Sequence, residues 1–300
     1  MKAKLGIAPI AWSNDDLPEL GGETSLETCL SEAKDAGFLG VETGGKFPNT
    51  VTELRAVLGK HGLKLASGWY SGTMLDNDVA HEQEKARGQL TLFRELGAPC
   101  LVYGETAGTI QNVRSAPINT RRTLNVDQIK SYGERLTAFA EFCADQQVPL
   151  AFHHHMGTAI ETEHDLDLLM SHTGPAVHLL LDAGHMAFAG GDPLAVIERH
   201  AERIIHVHAK DIRGEVIDTL DRDQHSFLDA VLEGAFTVPG DGSLDFNAIV
   251  QRLADHGYSG WFVVEAEQDP VKAPPLEYAR IGHQAMAAAL TAAGYEIEEG

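Results

Sequence analysis

DAGFLGVE, residues 35–42, returns near the end of the chain as DHGYSGWFVVE, residues 255–265. Each stretch combines a helix end, a glycine, an aromatic residue, a second glycine and an apolar run that ends in glutamate. Glycine is the residue that most often takes the left-handed conformation just after a helix. The two stretches therefore predict the same unit, a helix followed by a short buried strand, at both ends of the chain.

This helix–strand alternation continues along the whole sequence. Short apolar runs predict eight strands, and stretches with apolar residues at helical spacing separate them. The predicted strands are 4–12, 38–44, 63–72, 100–106, 149–155, 177–185, 204–211 and 260–269. Eight such units predict an α/β protein with one domain, a (β/α)8 TIM barrel over residues 1–300 with a rim insertion at about 212–244.

A doubly wound open sheet is the alternative fold for alternating strands and helices. That fold usually carries a glycine-rich turn, GxGxxG, after its first strand, where it binds phosphate. The first predicted strand is followed here by SNDDLPELGG, residues 13–22, which lacks the motif. The sequence therefore favours the barrel over the open sheet.

Composition excludes several classes of partner. The net charge is −21, which disfavours nucleic acid and anionic membranes because both require a basic surface. No apolar run reaches the roughly 18 residues of a membrane-spanning helix. The amino terminus MKAKLGIAPIAW lacks the pattern of a signal peptide, and the three widely spaced cysteines indicate reduced thiols. We expect a cytoplasmic protein.

Polar residues cluster at the carboxyl ends of the later predicted strands. In a parallel barrel these ends ring one face, where active sites of the fold lie. The strand-end residues are His153 to His155, Asp182, His208 and Glu265. Two nitrogen and two carboxylate ligands suit Mn²⁺, Co²⁺ or Zn²⁺ rather than Ca²⁺, so the sequence predicts a metal site with one histidine from 153–155 and the other three residues.

Each of these residues also has a simpler explanation. A single histidine at a strand end is more often hydrogen-bonded within the core, and Asp182 alone could cap the next helix. Glu265 is harder to explain this way, because a buried unpaired glutamate is costly. His153 and His155 point to one side of an extended strand and His154 to the other, so either of the first two could be the ligand.

Seven segments together resemble one family. They are GIAPIAWSNDD (6–16), GVETGGKFP (40–48), SGWYSG (67–72), HHHMGT (153–158), LLDAGH (180–185), HVHAKD (206–211) and SFLDAVLEGAFTVPGDGSLDF (226–246). They are similar to the inosose dehydratases of inositol catabolism, within the xylose-isomerase-like TIM barrels. The resemblance covers nearly the whole chain and is most specific at the strand ends.

The resemblance implies a divalent metal, with Mn²⁺ or Co²⁺ preferred over Zn²⁺ and Mg²⁺. Barrels of this superfamily commonly bind it with Glu, Asp, His and Glu from successive strands. The last three match Asp182, His208 and Glu265, whereas the first glutamate is replaced by histidine. We favour His153 at that position, with His155 as the alternative. Losing one carboxylate favours elimination over epimerisation, which uses two carboxylates for paired proton transfer.

The implied reaction is dehydration of 2-keto-myo-inositol (scyllo-inosose) to 3D-(3,5/4)-trihydroxycyclohexane-1,2-dione. This chemistry needs a Lewis acid, a base for the proton α to the ketone, and an acid for the departing β-hydroxyl. We expect Lys210, with a lowered pKa, to be the base, and His155 or His185 to be the acid. The expected substrate-binding residues are Lys46, Trp69, Tyr70, Glu105 and Glu267.

Three other functions remain open at this point. They are a metal-dependent sugar isomerase or epimerase on the same barrel, an abasic-site endonuclease, which the acidic charge disfavours, and a non-catalytic polyol-binding barrel. The resemblance also implies glutathione as a candidate cofactor, although no residue requires it. The expected partner is a small polyol ketone, and assembly into a homo-oligomer is compatible with the sequence.

Overall fold

Eight parallel strands close into a barrel in this computed structural model, which describes residues 1–299. The barrel strands are β1 (Lys2–Ile7), β2 (Gly40–Thr43), β3 (Lys64–Gly72), β4 (Leu101–Glu105), β5 (Leu150–His153), β6 (Val177–Asp182), β7 (Ile204–Ala209) and β10 (Gly260–Val264). Successive strands are neighbours, and β10 pairs with β1 to close the ring. The predicted TIM barrel is confirmed.

Helices follow the strands in the order that the sequence predicts. They are α1 (Leu26–Asp35), α2 (Val51–His61), α3 (Val79–Leu96), α4 (Val126–Asp145), α5 (Glu163–Ser171), α6 (Ala183–Phe188), α7 (Pro193–His200), α8 (Gly214–Ile217), α9 (Phe227–Glu233), α10 (Phe246–Asp255) and α11 (Pro275–Ala292). Gly62 and Gly97 follow α2 and α3 with φ of 62° and 74°. Across residues 1–299, every helix is too short or too polar to cross a membrane.

Several strands end earlier than the apolar runs predict. β1 stops at Ile7 because Pro9, which lacks an N–H, begins a turn of 3-10 helix. β6 stops at Asp182, whose carboxylate accepts the His185 N–H at 2.7 Å and so caps α6. The polar residues near these ends therefore lie on turns and helix starts as well as on the strands.

Alternation along each strand decides which side chains enter the barrel. On β5, Leu150 and Phe152 pack into the main apolar cluster with the helices, whereas Ala151 belongs to a small cluster inside the barrel. His153 continues the inward series two residues after Ala151. The same alternation on the neighbouring strands brings Asp182, His208 and Glu265 to the inside.

A separate segment covers one side of the barrel mouth. It contains α8, α9 and a two-stranded antiparallel sheet of β8 (Asp211–Ile212) and β9 (Phe236–Thr237), within the range of the predicted rim insertion. Its apolar side chains form a second core together with Leu17 and Phe188. The Phe227 ring lies 5.4 Å from the His155 ring, so this segment is part of the wall around the strand-end histidines. A last short strand, β11 (Glu296–Ile297), pairs with β1.

Candidate metal centre and active site

A cavity of about 1120 Å³ opens where the barrel strands end. Its wall includes side chains from several strands and from the loop after β1: Asp15, Asp16, Glu42, Trp69, His153, His155, His208, Glu265 and Glu267. Most of these side chains can ligate a metal or transfer a proton. Residues far apart in the sequence thus share one cavity, as the parallel barrel predicts.

Four of the strand-end residues form a tight group, which we call the four-residue cluster: His153, Asp182, His208 and Glu265. One ligand atom from each lies within 4.8 Å of the others, and all four residues are buried. His208 Nδ1 is 2.9 Å from Glu265 Oε2 and 3.5 Å from Asp182 Oδ2. His153 Nε2 is 3.6 Å from the same Asp182 oxygen.

The four-residue cluster fits a divalent cation. Asp182 Oδ2 and His208 Nδ1 are buried without a well-aligned hydrogen bond, although both point into the cluster. Buried polar atoms are normally paired, so these two atoms indicate a missing partner. The donor set of two imidazole nitrogens and two carboxylates is also the type that Mn²⁺, Co²⁺ and Zn²⁺ accept.

The histidine rings are oriented in a way that distinguishes His153 from His155. The Nδ1–H of His153 donates to the carbonyl oxygen of His154 at 2.5 Å, which leaves Nε2 free toward the cluster. The Nδ1–H of His155 donates to the Met156 carbonyl at 2.8 Å, and its Nε2 lies 3.7 Å from Glu267 instead. The geometry therefore supports His153 as the candidate ligand, with His155 in a second group.

That second group, the Lys210 cluster, consists of His155, His185, Lys210 and Glu267. Lys210 Nζ lies 2.8 Å from His185 Nε2, from Glu267 and also from Glu265 of the four-residue cluster. The His155 and His185 rings have centroids 3.8 Å apart. The ammonium group therefore already occupies the position that a second cation would take.

The predicted lowering of the Lys210 pKa is wrong. Burial alone would lower the pKa of this ammonium, but the carboxylates of Asp182, Glu265 and Glu267 more than offset burial and raise the pKa. Burial lowers the pKa of His185 to about 4, and the charge of Lys210 acts in the same direction. Lys210 is therefore charged and His185 neutral near pH 7, and neither lines the cavity.

Tyr70 lies outside the cavity, contrary to the substrate contact that we predict from sequence. It occupies the opposite face of β3 from Trp69, which does line the cavity. The Tyr70 hydroxyl donates to Glu82 Oε2 at 2.6 Å, and its ring stacks on Phe139 of the helix layer. Adjacent residues of a strand cannot both face the barrel interior, so Tyr70 is a core residue.

Lys46 and Glu105 are also directed away from the cavity, again contrary to the sequence prediction. Lys46 Nζ donates to the carbonyl oxygens of Gly22 and Thr24 and so holds the loop after β1. The Glu105 carboxylate accepts the backbone N–H of Ala107 and the Tyr103 hydroxyl. Both side chains use their hydrogen-bonding groups to stabilise loops, whereas Trp69 and Glu267 remain available in the cavity wall.

Sequence reasoning missed the role of Glu42, which lies on β2 one residue before its end. Its carboxylate accepts hydrogen bonds from His206 Nε2 at 2.8 Å and His208 Nε2 at 3.1 Å. These bonds orient His208 so that its Nδ1 faces the four-residue cluster. Burial alone would lower the pKa of His208, but Glu265 and Glu42 raise it. The glutamate at the end of the repeated DAGFLGVE unit was the available signal.

Sequence reasoning also missed Asp16 in the SNDD stretch after β1. Asp16 lines the cavity, and its carboxylate accepts from Gln111 Nε2 at 3.0 Å. Burial raises the pKa of its carboxyl, and the hydrogen bond from Gln111 opposes this shift. The signal was an acidic pair directly after the first strand, at the face where the other polar residues collect.

Comparison with known proteins places the chain in a family. The model of the xylose isomerase-like TIM barrel family matches residues 30–289. A rhizopine catabolism protein, MocC, of Rhizobium meliloti is 52% identical over 99% of this chain and 91% of its own length. Inosose dehydratases of Geobacillus thermodenitrificans and Clostridium beijerinckii are 42% and 40% identical, each over 93% of this chain and 94% of its own length.

Solved structures share the fold at low sequence identity. An L-ribulose 3-epimerase superimposes with a TM-score of 0.68 at 18% identity, covering 97% of this chain and 95% of its own. The IolI protein with a bound zinc atom gives a TM-score of 0.66 at 17% identity, covering 97% of both chains. The family match and the relatives at 40% identity and above show that the chain belongs to the xylose isomerase-like TIM barrel family, among relatives that include the inosose dehydratases.

Proposed function

We propose that this protein is a metal-dependent inosose dehydratase, which converts 2-keto-myo-inositol to 3D-(3,5/4)-trihydroxycyclohexane-1,2-dione with loss of water. The observation that carries the proposal is the four-residue cluster at the cavity of a chain 42% identical to an enzyme named inosose dehydratase. The epimerase alternative has less support, because the isomerases and epimerases among the solved structures are only 16–19% identical.

In this proposal His153, Asp182, His208 and Glu265 would hold Mn²⁺ or Co²⁺. The metal would supply Lewis-acid polarisation of the substrate ketone, which makes the neighbouring C–H more acidic. Within the chain, the four carboxylates of Glu42, Asp182, Glu265 and Glu267 outnumber the positive groups of this region, which are the Lys210 ammonium and the imidazoles of His206 and His208, whose pKa values are raised. A metal cation would reduce this excess of negative charge, and the negative surroundings favour its binding.

We assign the base to His155 rather than to Lys210. Because its Nδ1–H is engaged by the Met156 carbonyl, its Nε2 carries the lone pair, and His155 lines the cavity. Glu267 Oε1, 3.7 Å away, would stabilise the imidazolium that forms when Nε2 removes the α proton. Lys210 acts as a positioning residue, because it holds Glu267 and Glu265 at 2.8 Å each.

The cavity suits an uncharged polyol ketone. Among the described residues that line it there is no lysine or arginine, so a phosphorylated sugar would lack a counter-charge. Trp69 offers an apolar face, and Glu267 accepts hydrogen bonds.

The buried free thiols of Cys29, Cys100 and Cys143 agree with a cytoplasmic location, which we include in the proposal. The proposed chemistry needs no thiol, so glutathione enters only as an addition to the assay.

The test is a dehydration assay on purified protein with scyllo-inosose, before and after chelation. We expect activity with Mn²⁺ or Co²⁺ bound, loss of activity with chelator and recovery when either metal is restored, with dione formation followed by absorbance and mass spectrometry. Glutathione should leave the rate unchanged. A dehydration rate indifferent to chelator would contradict the metal role, and an isomerised product without water loss would favour the epimerase.

Glu42→Gln should weaken metal binding without removing a ligand. Loss of the carboxylate that orients the His208 ring is expected to lower metal affinity by about 10–100-fold, as for other partners of metal-bound histidines. Titration of the metal-free variant with Mn²⁺, followed by calorimetry, measures this change independently of turnover. Unchanged affinity would mean that the four-residue cluster does not depend on Glu42.

A further inference from the structure

Asp16 is fixed at the cavity wall by the loop that carries it. The Asn14 side chain accepts the backbone N–H of Asp16 at 2.8 Å and that of Leu17 at 3.0 Å, and Leu17 is buried in the second apolar core. The Gln111 amide then holds the carboxylate itself. The loop therefore presents a half-buried acid to the cavity in a defined position.

The surroundings of Asp16 raise the pKa of its carboxyl above the ordinary value. Within residues 1–299, no lysine, arginine or histidine nitrogen lies within 4 Å of its oxygens. Burial is the main cause that raises its pKa, and the negative charges of Glu267 and Asp15 add to the effect, whereas His155 and Gln111 oppose it. The titratable groups that face Asp16 are thus two carboxylates and the His155 imidazole.

We propose that Asp16 is the catalytic acid that protonates the departing hydroxyl, as the counterpart of His155. This inference rests on the proposed dehydratase function. Pairs of titratable groups in contrasting environments are the usual source of an acid and a base in one site. Asp16 and His155 both line the cavity, where the Gln111 amide holds the Asp16 carboxylate and the Met156 carbonyl holds the His155 ring.

The protons of the reaction balance between His155 and Asp16. His155 Nε2 takes the proton from the carbon α to the ketone, and the C–H electron pair moves into the ketone to give an enolate. The enolate electrons then form a double bond to the β-carbon. The C–O bond at that carbon breaks, its electrons stay on the oxygen, and the Asp16 proton converts the leaving group to water. The enol product becomes the dione, and a proton passing from His155 to Asp16 restores both groups.

The Asp16→Asn variant should separate removal of the α proton from loss of water. Asparagine keeps the acceptor oxygen for Gln111 but cannot donate the acidic proton, so water loss should fall by about 10²–10⁴-fold, the usual contribution of a general acid. Removal of the α proton should continue. In D₂O the variant with bound Mn²⁺ should therefore incorporate deuterium at the α carbon of scyllo-inosose, seen by NMR, while forming little dione.

The controls make each outcome decisive. Asp127→Asn, an exposed residue of α4, should behave as wild type, and His155→Asn should lose both exchange and water loss. If Asp16→Asn loses exchange and water loss in parallel, or raises only KM, Asp16 merely binds substrate and the proposal fails. Full dehydration by Asp16→Asn also overturns it. If wild type shows neither reaction, the proposed function itself has failed.

Discussion

Glu265→Gln is expected to lose bound metal and at least ~10³-fold of the dehydratase activity. A bound metal stabilises the transition state by several kcal/mol, and each 1.36 kcal/mol of that stabilisation corresponds to a tenfold change in rate. Glu265 Oε2 lies 2.9 Å from His208 Nδ1, in the centre of the four-residue cluster. Glutamine has nearly the same shape but no charge, so the cavity should persist while the cation loses a ligand. Metal content after desalting and the rate on scyllo-inosose are the two measurements.

The matched control for this variant is Glu84→Gln on the exposed surface of α3, where the side chain pairs with Arg87. Glu84→Gln should retain metal and activity, because an exposed ion pair contributes little. Circular dichroism would exclude unfolding of Glu265→Gln. If Glu265→Gln had wild-type metal content and a wild-type rate, Glu265 would not be a ligand of the metal.

Lys210→Met is expected to destabilise the protein by about 3–5 kcal/mol, the usual cost of removing one partner of a buried ion pair. The fully buried ammonium contacts Glu265 and Glu267 at 2.8 Å and Asp182 at 3.6 Å. Methionine fills the same volume but leaves these carboxylates without their common cation. Urea unfolding of metal-free protein at pH 7 measures the loss of free energy of unfolding.

The pH dependence checks the cause of this destabilisation. Without Lys210 the native carboxylates hold their protons to higher pH, so the stability deficit of Lys210→Met should shrink as pH falls through the range where they protonate. Lys130→Met, an exposed residue of α4, should change stability by no more than about 0.5 kcal/mol. A deficit that stays constant with pH would indicate poor packing of methionine instead of unpaired charge.

The period-two alternation of strands explains both a success and a failure of the sequence predictions. His153 and Asp182 occupy inward positions, and they meet in the structure as expected. Trp69 and Tyr70 are adjacent on β3, so the same alternation allowed only one of them to enter the cavity. The prediction that both bind substrate ignored this constraint, and Tyr70 is in the helix layer.

Other errors came from contacts that no periodicity encodes. Glu105 lies at a strand end, yet loop N–H groups use its carboxylate. The Lys46 ammonium donates its hydrogen bonds to carbonyl groups of the loop after β1. The pKa of Lys210 is raised rather than lowered, because burial and three carboxylates act in opposite directions and their distances decide which prevails.

The amino-acid sequence by itself determined the barrel, the inward series that ends in His153, Asp182, His208 and Glu265, and the chemical type of the candidate site. These features follow from local hydrophobic patterning and from the parallel ends of barrel strands, both of which can be read along the chain. Only the tertiary structure decided which histidine nitrogen faces the cluster, that Lys210 is enclosed by carboxylates, and that Asp16 shares a cavity with His155. Hydrogen bonding and electrostatics act over a few ångströms between residues that are tens to more than a hundred positions apart, so distances in space determine them.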